Sequence, residues 1–220
     1  MKIGLFLQDT RLSIEEMNKN FDRVLKNAKK NNLDLLVFPE HFYCPDELEL
    51  ENLNYLNYGD DSSNANEIVD ILRKYAKKAN CPIIISRSDF NGFIYGLFIS
   101  PFEEGIKYYG KHIATQISSF DLEDYKEVVN DIFYPVEYKG YNIGITICYD
   151  SNNLLFSKCY DDVDILINLT GGHVDYKKWY IYQRSRALEN KCNYLCTMAY
   201  YRENAKMIHM YLVLMDMVKN

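Results

Sequence analysis

Three short stretches of this chain end on residues that do chemistry. Ile143-Gly144-Ile145-Thr146-Ile147-Cys148-Tyr149-Asp150 carries an alternating β-branched run to a thiol. β-Branched side chains at every second position suit a short buried strand. Asp150-Ser151-Asn152 then supplies turn and helix-cap residues, and an apolar run follows from Asn153. Strand, sharp turn and helix would lift the Cys148 thiol to the top of a sheet beside the positive end of a helix. There its pKa falls and its sulfur is exposed. The alternative is a small buried hydrophobe, because free cysteines are among the most buried residue types. Leu35-Leu36-Val37-Phe38-Pro39-Glu40 is an apolar strand that ends in an acid, and Ile106-Lys107-Tyr108-Tyr109-Gly110-Lys111 is a strand that ends in a lysine. Taken singly, either is equally a surface acid or an ordinary solvated lysine. Taken in order, a carboxylate, an ammonium and a thiol each stand at the C-terminal end of a predicted strand.

The elements between must bring those ends together. Lys2–Gln8 reads as a first strand. Ser13-x-x-Glu16 is a capping box, followed at helical spacing by Ile14, Met17, Phe21, Val24 and Ala28. Asn31-Asn32 ends that helix and the Glu40 strand comes next, which makes a strand–helix–strand unit. Cys44–Ser63 is acidic and reads as a lid or surface loop. A second helix runs from Ala65 to Ala79. The strands Pro82–Arg87, Phe93–Ile99 and Ile106–Gly110 follow, with turn signals at Asn91-Gly92 and Glu104-Gly105. His112–Ile132 shows no period and reads as an active-site loop. Phe133–Tyr138 and Tyr141–Cys148 form a hairpin about Lys139-Gly140. The chain continues as a strand Asp164–Thr170, a helix Tyr176–Asn190 and a strand Tyr194–Ala199. Helices alternating with many short strands place the chain in the α/β class.

Composition excludes several functions. The 220 residues fit one domain with a sizeable core, and 48% hydrophobic content rules out a disordered chain. A net charge of −6, with lysines spread along the chain, argues against a nucleic-acid or anionic membrane surface. The six cysteines lack paired metal spacing and read as free thiols of a reducing compartment, so the cytoplasm is the expected location. Lys2–Gln8 is too short for the apolar region of a signal peptide, and no segment is long and apolar enough to span a bilayer. No Gly-x-Ser-x-Gly elbow is present, which disfavours a Ser/His/Asp hydrolase.

Taken together, the Pro-Glu strand end, the lysine strand end and the Gly-x-x-Ile-Cys-Tyr-Asp elbow resemble the nitrilase, or carbon–nitrogen hydrolase, superfamily. Asp164-Ile165-Leu166-Ile167-Asn168 and Arg186-Ala187-Leu188-Glu189-Asn190 match its later strand and helix, so the likeness runs from Lys2 to about Tyr200. It implies a four-layer α-β-β-α sandwich, with two sheets face to face and helices outside. It also implies a hydrolase of small-molecule amide, carbamoyl or nitrile groups, with amides the commonest case. Cys148 would be the nucleophile that forms a thioester, and Glu40 the base. Lys111 would stabilise the oxyanion, with the backbone N–H of Tyr149 as second donor. One such donor is worth about 3–4 kcal/mol. A second glutamate that steadies the lysine is implied between lysine and cysteine: Glu123 is preferred and Glu127 is the alternative. His41 and His112 are neighbours without an assigned role. No cofactor, metal or nucleotide is required. Pairing into a homodimer or higher homo-oligomer is implied, through Leu154, Leu155 and Phe156 and through Trp179, Tyr180 and Tyr182.

The chain departs from the family in three places. Ser151-Asn152-Asn153-Leu154-Leu155 replaces the usual continuation of the elbow. Gly171-Gly172-His173 replaces the pocket sequence of several amidases. Beyond residues 1–206, taken as the hydrolase domain, the tail 207–220 holds four of the seven methionines and no glycine. A reading-frame shift in an adenine run at Lys206 is the expectation for that tail, with the family's last strands lost. The rival to an active hydrolase is then a truncated or inactive homologue that acts as a binding protein or has no activity.

Overall fold

The computed structural model describes residues 1–9, 12–40, 63–88, 94–103, 106–111, 135–154, 160, 162–171, 176–200 and 213–214. Helix α1 (Ile14–Lys30) begins where the capping box places it. The Ser13 N–H donates to Glu16 Oε2 at 3.0 Å, and the Glu16 N–H donates to Ser13 Oγ at 3.3 Å. Glu15 and Glu16 in the first turn and Lys29 and Lys30 in the last suit the helix dipole. Helix α2 (Ser63–Ala79) lies beside α1, where the Phe21 and Tyr75 rings meet edge to face at 4.6 Å.

Strands β1 (Ile3–Leu5), β3 (Leu35–Val37), β4 (Ile83–Ser88), β5 (Ile94–Ile99) and β6 (Ile106–Gly110) form one sheet, in the order β1-β3-β4-β5-β6. The second sheet contains β7 (Val136–Tyr138), β8 (Tyr141–Ile147), β9 (Ile165–Thr170), β10 (Asn193–Tyr200) and β11 (Val213–Leu214), ordered β11-β10-β9-β8-β7. β2 (Leu7–Asp9) also pairs with β10. The single expected strand Lys2–Gln8 is therefore two strands. Ile3–Leu5 pairs with β3 in the first sheet, and Leu7–Asp9 crosses to the second. An apolar run keeps its character when it crosses between facing sheets, so the pattern could not show the break. β7 and β8 are joined by Lys139-Gly140, both at positive φ (51° and 74°), as a two-residue hairpin turn requires.

Alternation along the strands makes the layers. Leu35, Val37, Ile84 and Phe98 of the first sheet meet Ile143, Ile145, Ile147 and Leu169 of the second. Leu36, Phe38, Ile83, Ile85, Leu97 and Ile99 face outward onto Phe21, Leu25, Ala28, Leu72 and Ala76 of α1 and α2. Helix α3 (Tyr176–Asn190) covers the second sheet, with Trp179 and Ala187 buried. The architecture is the α-β-β-α sandwich. The sheets touch closely at Gly96: a Cβ there would lie 2.9 Å from Ile145 Cγ2.

Candidate active site

The first sheet delivers the acid and the lysine. Beyond β3, the Phe38 N–H still bonds the Ile84 carbonyl at 2.8 Å, which carries the chain straight to Pro39-Glu40. Beyond β6, the Lys111 N–H bonds the Ile94 carbonyl at 2.8 Å. Both side chains turn inward: Lys111 Nζ donates to Glu40 Oε1 at 2.7 Å, and the pair is 1% and 2% exposed. Two charges this deeply buried are tolerable only as partners, since removing either strands the other in low dielectric.

The second sheet delivers the thiol. β8 stops at Ile147, and Cys148 takes φ +45°, left-handed backbone that a residue with a Cβ adopts only under constraint. One 3-10 turn, Cys148–Asn152, follows; Leu154 beyond it is helical, and residues 155–159 of the expected elbow helix lie outside the described residues. Cys148 is 5% exposed. Burial pushes its thiol pKa up, and the Glu40 charge adds to that; the Gly171 N–H and the Lys111 ammonium pull the other way and do not prevail. This reverses the expected exposed, acidified sulfur. Burial acts on the whole side chain and outweighs the Gly171 N–H and the Lys111 ammonium. The resting thiol is neutral, with a carboxylate beside it to take its proton.

A set of hydrogen bonds fixes the strained elbow. The Cys148 carbonyl accepts from Ser151 Oγ at 2.9 Å and from Asn168 Nδ2 at 3.2 Å. Asn168 Nδ2 also reaches Thr146 Oγ1 at 3.0 Å, and Thr170 Oγ1 donates to Asn168 Oδ1 at 2.5 Å. Arg186 Nε donates to the Ser151 carbonyl at 2.8 Å while Arg186 pairs with Glu189. The Arg186–Asn190 motif therefore caps the carbonyl end of the Cys148 turn. On the other side, the Tyr109 hydroxyl donates to Asp150 Oδ2 at 2.8 Å. The sequence reading missed Ser151, Asn168, Gly171 and Tyr109 as parts of the site. Tyr-x-Lys and Cys-x-Asp were the available signals for the last contact.

Glu40, Lys111 and Cys148 thus converge as their strand-end positions implied. Tyr149 follows Cys148, with its ring edge-on to Trp179 at 5.6 Å. Trp179 is buried and so unavailable as the subunit contact expected of it. Glu123, Glu127, His41, His112, His173, Leu155 and Phe156 lie outside the described residues.

Residues 6–208 match the carbon–nitrogen hydrolase family. The chain belongs to that family. No curated protein sequence matches it closely enough to compare. Among solved structures, it is similar to a carbon–nitrogen hydrolase superfamily protein of Xanthomonas campestris, at 19% identity and TM-score 0.63, over 90% of this chain and 75% of that one. It is also similar to an amidase of Nesterenkonia sp. AN1, at 17% identity and TM-score 0.66, over 90% and 78%. A carbon–nitrogen hydrolase of Helicobacter pylori G27 matches at 15% identity and TM-score 0.65, over 90% and 73%. At these identities the structures attest the fold. No helix among the described residues of this carbon–nitrogen hydrolase is long and apolar enough to cross a membrane.

Proposed function

We propose that the chain hydrolyses small-molecule amides through a thioester on Cys148. The observation that carries this reading is the convergence of a buried Glu40–Lys111 pair with a neutral thiol held at a left-handed strand end. Glu40 takes the Sγ proton as the sulfur attacks the carbonyl carbon. The carbonyl π pair moves onto oxygen, where the Lys111 ammonium and the Tyr149 N–H receive it. As the oxyanion collapses, the C–N bond breaks and the proton on Glu40 passes to the departing nitrogen, giving ammonia or an amine and the thioester. A water, deprotonated by Glu40, then attacks the thioester carbon. Collapse expels the thiolate, which recovers the proton, and a carboxylic acid leaves. Glu123 would steady Lys111 and orient the substrate, with Glu127 the alternative.

The Nesterenkonia amidase supports the amide class: in a glutamate-to-glutamine mutant of that enzyme the active-site cysteine takes up acrylamide by Michael addition and the acetamide moiety of fluoroacetamide. Exposed Ile181 and Leu188 on α3, with Tyr149 and Leu154 beside the elbow, support pairing into a homo-oligomer. The free buried thiols Cys81, Cys148, Cys192 and Cys196 fit a reducing, cytoplasmic setting. Ammonia release across amides, ω-amido acids, carbamoyl amines and nitriles tests the reading. Amide turnover with an acyl adduct on Cys148 by mass spectrometry is the expected result. Turnover confined to nitriles or carbamoyl amines replaces the amide assignment, and turnover that survives Cys148→Ala overturns the mechanism.

A further inference from the structure

Glu40 and Lys111 stand on the first sheet and Cys148 on the second. The spacing between oxyanion ammonium and nucleophile is therefore a spacing between sheets. Hydrophobic contact alone is non-directional and fixes such a distance loosely. Beside the contact of Glu40 with the Cys148 thiol, a second buried polar contact among the described residues crosses the gap. Tyr109, two residues before Lys111 on the same side of β6, is 1% exposed, and its hydroxyl donates to Asp150 Oδ2 at 2.8 Å. Asp150 lies two residues after Cys148 and is fully buried; the same oxygen faces the Ile147 N–H at 3.4 Å.

The surroundings hold both ends. Gly96, the register partner of Tyr109, lets β8 press against the first sheet, since a Cβ would meet Ile145 and Ile147. The Tyr160 ring packs on Tyr109 at 6.2 Å between centroids. Its hydroxyl donates to the Ile145 carbonyl at 2.6 Å and accepts from the Ile145 N–H at 3.1 Å. We propose that Tyr109, acting through Asp150, is a positioning residue that sets the spacing between Lys111 and Cys148 across the two sheets. The proposal rests on the roles given to Lys111 and Cys148 above. A hydrogen bond to a buried carboxylate is short and directional, so its loss frees the sheets to slide where apolar contacts permit. A misplacement of about 1 Å at reacting atoms costs on the order of 100-fold in rate.

The test uses the full chain and four variants: Tyr109→Phe, Asp150→Asn, Asp150→Ala and Tyr109→Phe/Asp150→Ala. Each is assayed where thermal melts show it folded. Steady-state kinetics are read beside the rate of Cys148 alkylation by iodoacetamide, from about pH 6 to about pH 10. Tyr109→Phe is expected to lower kcat by roughly 10- to 100-fold with KM within about twofold. Asp150→Asn, which keeps an acceptor oxygen, should retain kcat within about threefold, while Asp150→Ala falls with Tyr109→Phe. The double variant should be no worse than the worse single, because all three lose the same Tyr109–Asp150 bond. Wild-type kcat and an unchanged alkylation profile in folded Tyr109→Phe overturn the proposal, as does a double variant whose losses multiply. If the wild-type chain turns over no amide, carbamoyl compound or nitrile, the hydrolase reading fails separately. Alkylation then decides alone: a rate changed about fivefold or more by Tyr109→Phe supports positioning, and an unchanged rate refutes it.

Discussion

The two helical layers of this carbon–nitrogen hydrolase rest on their sheets by different chemistry. α1 and α2 meet the first sheet through Phe21, Leu25, Leu72, Tyr75 and Ala76 against Leu36, Phe38, Ile83 and Ile85, an apolar contact. The second sheet, under α3, adds buried Thr146, Asn168, Thr170 and Cys196 to its apolar residues, and α3 adds buried Gln183 and Arg186 to the apolar Trp179 and Ala187. The difference follows from what each layer supports. Glu40 and Lys111 extend ordinary strand ends whose backbone bonds continue the ladder. Cys148 sits in left-handed backbone, and its turn leaves carbonyls that only side-chain donors can satisfy. An apolar layer stabilises a sheet; a polar one holds a particular backbone conformation.

The largest expected effect is at Cys148, whose strained backbone and proposed chemistry can be tested apart. Cys148→Ala should abolish turnover, and Cys148→Ser nearly so, because a carboxylate is a weak base for an alcohol. Cys148→Gly should be equally inactive yet at least as stable as Cys148→Ala. Glycine relieves the φ of +45° by about 1–2 kcal/mol, partly offset by the larger entropy of its unfolded chain. Denaturant melts of the two variants check this, and a clearly less stable glycine variant would mean the backbone there is not under strain.

The buried ion pair gives the next effect in size. Lys111→Met should lower kcat by about 10²–10³ through loss of oxyanion stabilisation. It should also cost about 3–5 kcal/mol of stability, because Glu40 is left charged and buried. Adding Glu40→Gln should recover most of that stability and none of the activity. Equal stability of the single and double variants would show that the pair is not energetically coupled.

One substitution in each layer tests the contrast directly. Leu25→Ala, fully buried under α1, should cost about 2–5 kcal/mol while the folded fraction keeps its kcat. Asn168→Ala should cost less, about 1–3 kcal/mol, yet lower kcat, because the Cys148 carbonyl and Thr146 lose a donor. Urea titration and kinetics on the same samples separate the two. A kcat loss confined to Leu25→Ala would invert the assignment of the layers.

This contrast also explains what could be read in advance. The α1 face was legible because Phe21 and Ala28 repeat at helical spacing and the Ser13–Glu16 box marks the start. Glu40, Lys111 and Cys148 were legible because each ends an apolar run. The contacts of Asn168, Ser151 and Arg186 were not, because they bond backbone carbonyls whose orientation depends on the φ of one residue. The Cys148 pKa was read in the wrong direction, since a strand-turn pattern shows the turn and not how deeply the sulfur is enclosed.

The smallest expected effect at neutral pH concerns two thiols, one in each layer. Cys81 packs behind the first sheet among Ala76, Ala79 and Ile83, and Cys196 lies in the polar layer beside Thr170, 3.1 Å from its hydroxyl. Burial pushes both thiols up from the usual 9.0 to about 11; for Cys196, the Thr170 hydroxyl pulls the other way and does not prevail. The folded pKa lies above the unfolded one, so the folded protein holds these protons more tightly. Their contribution to stability is complete below about pH 9, then shrinks as the unfolded thiols ionise, and is lost as pH rises through about 11. Stability should therefore fall over this alkaline window, and Cys81→Ala and Cys196→Ala should each flatten the fall. Urea midpoints measured at fixed ionic strength across the window provide the check. Chemically different layers give these two thiols the same shift, so desolvation, which both share, must dominate. If only Cys81→Ala flattened the curve, the hydroxyl beside Cys196 would be stabilising its thiolate, and the polar layer would differ from the apolar one in electrostatics as well as geometry.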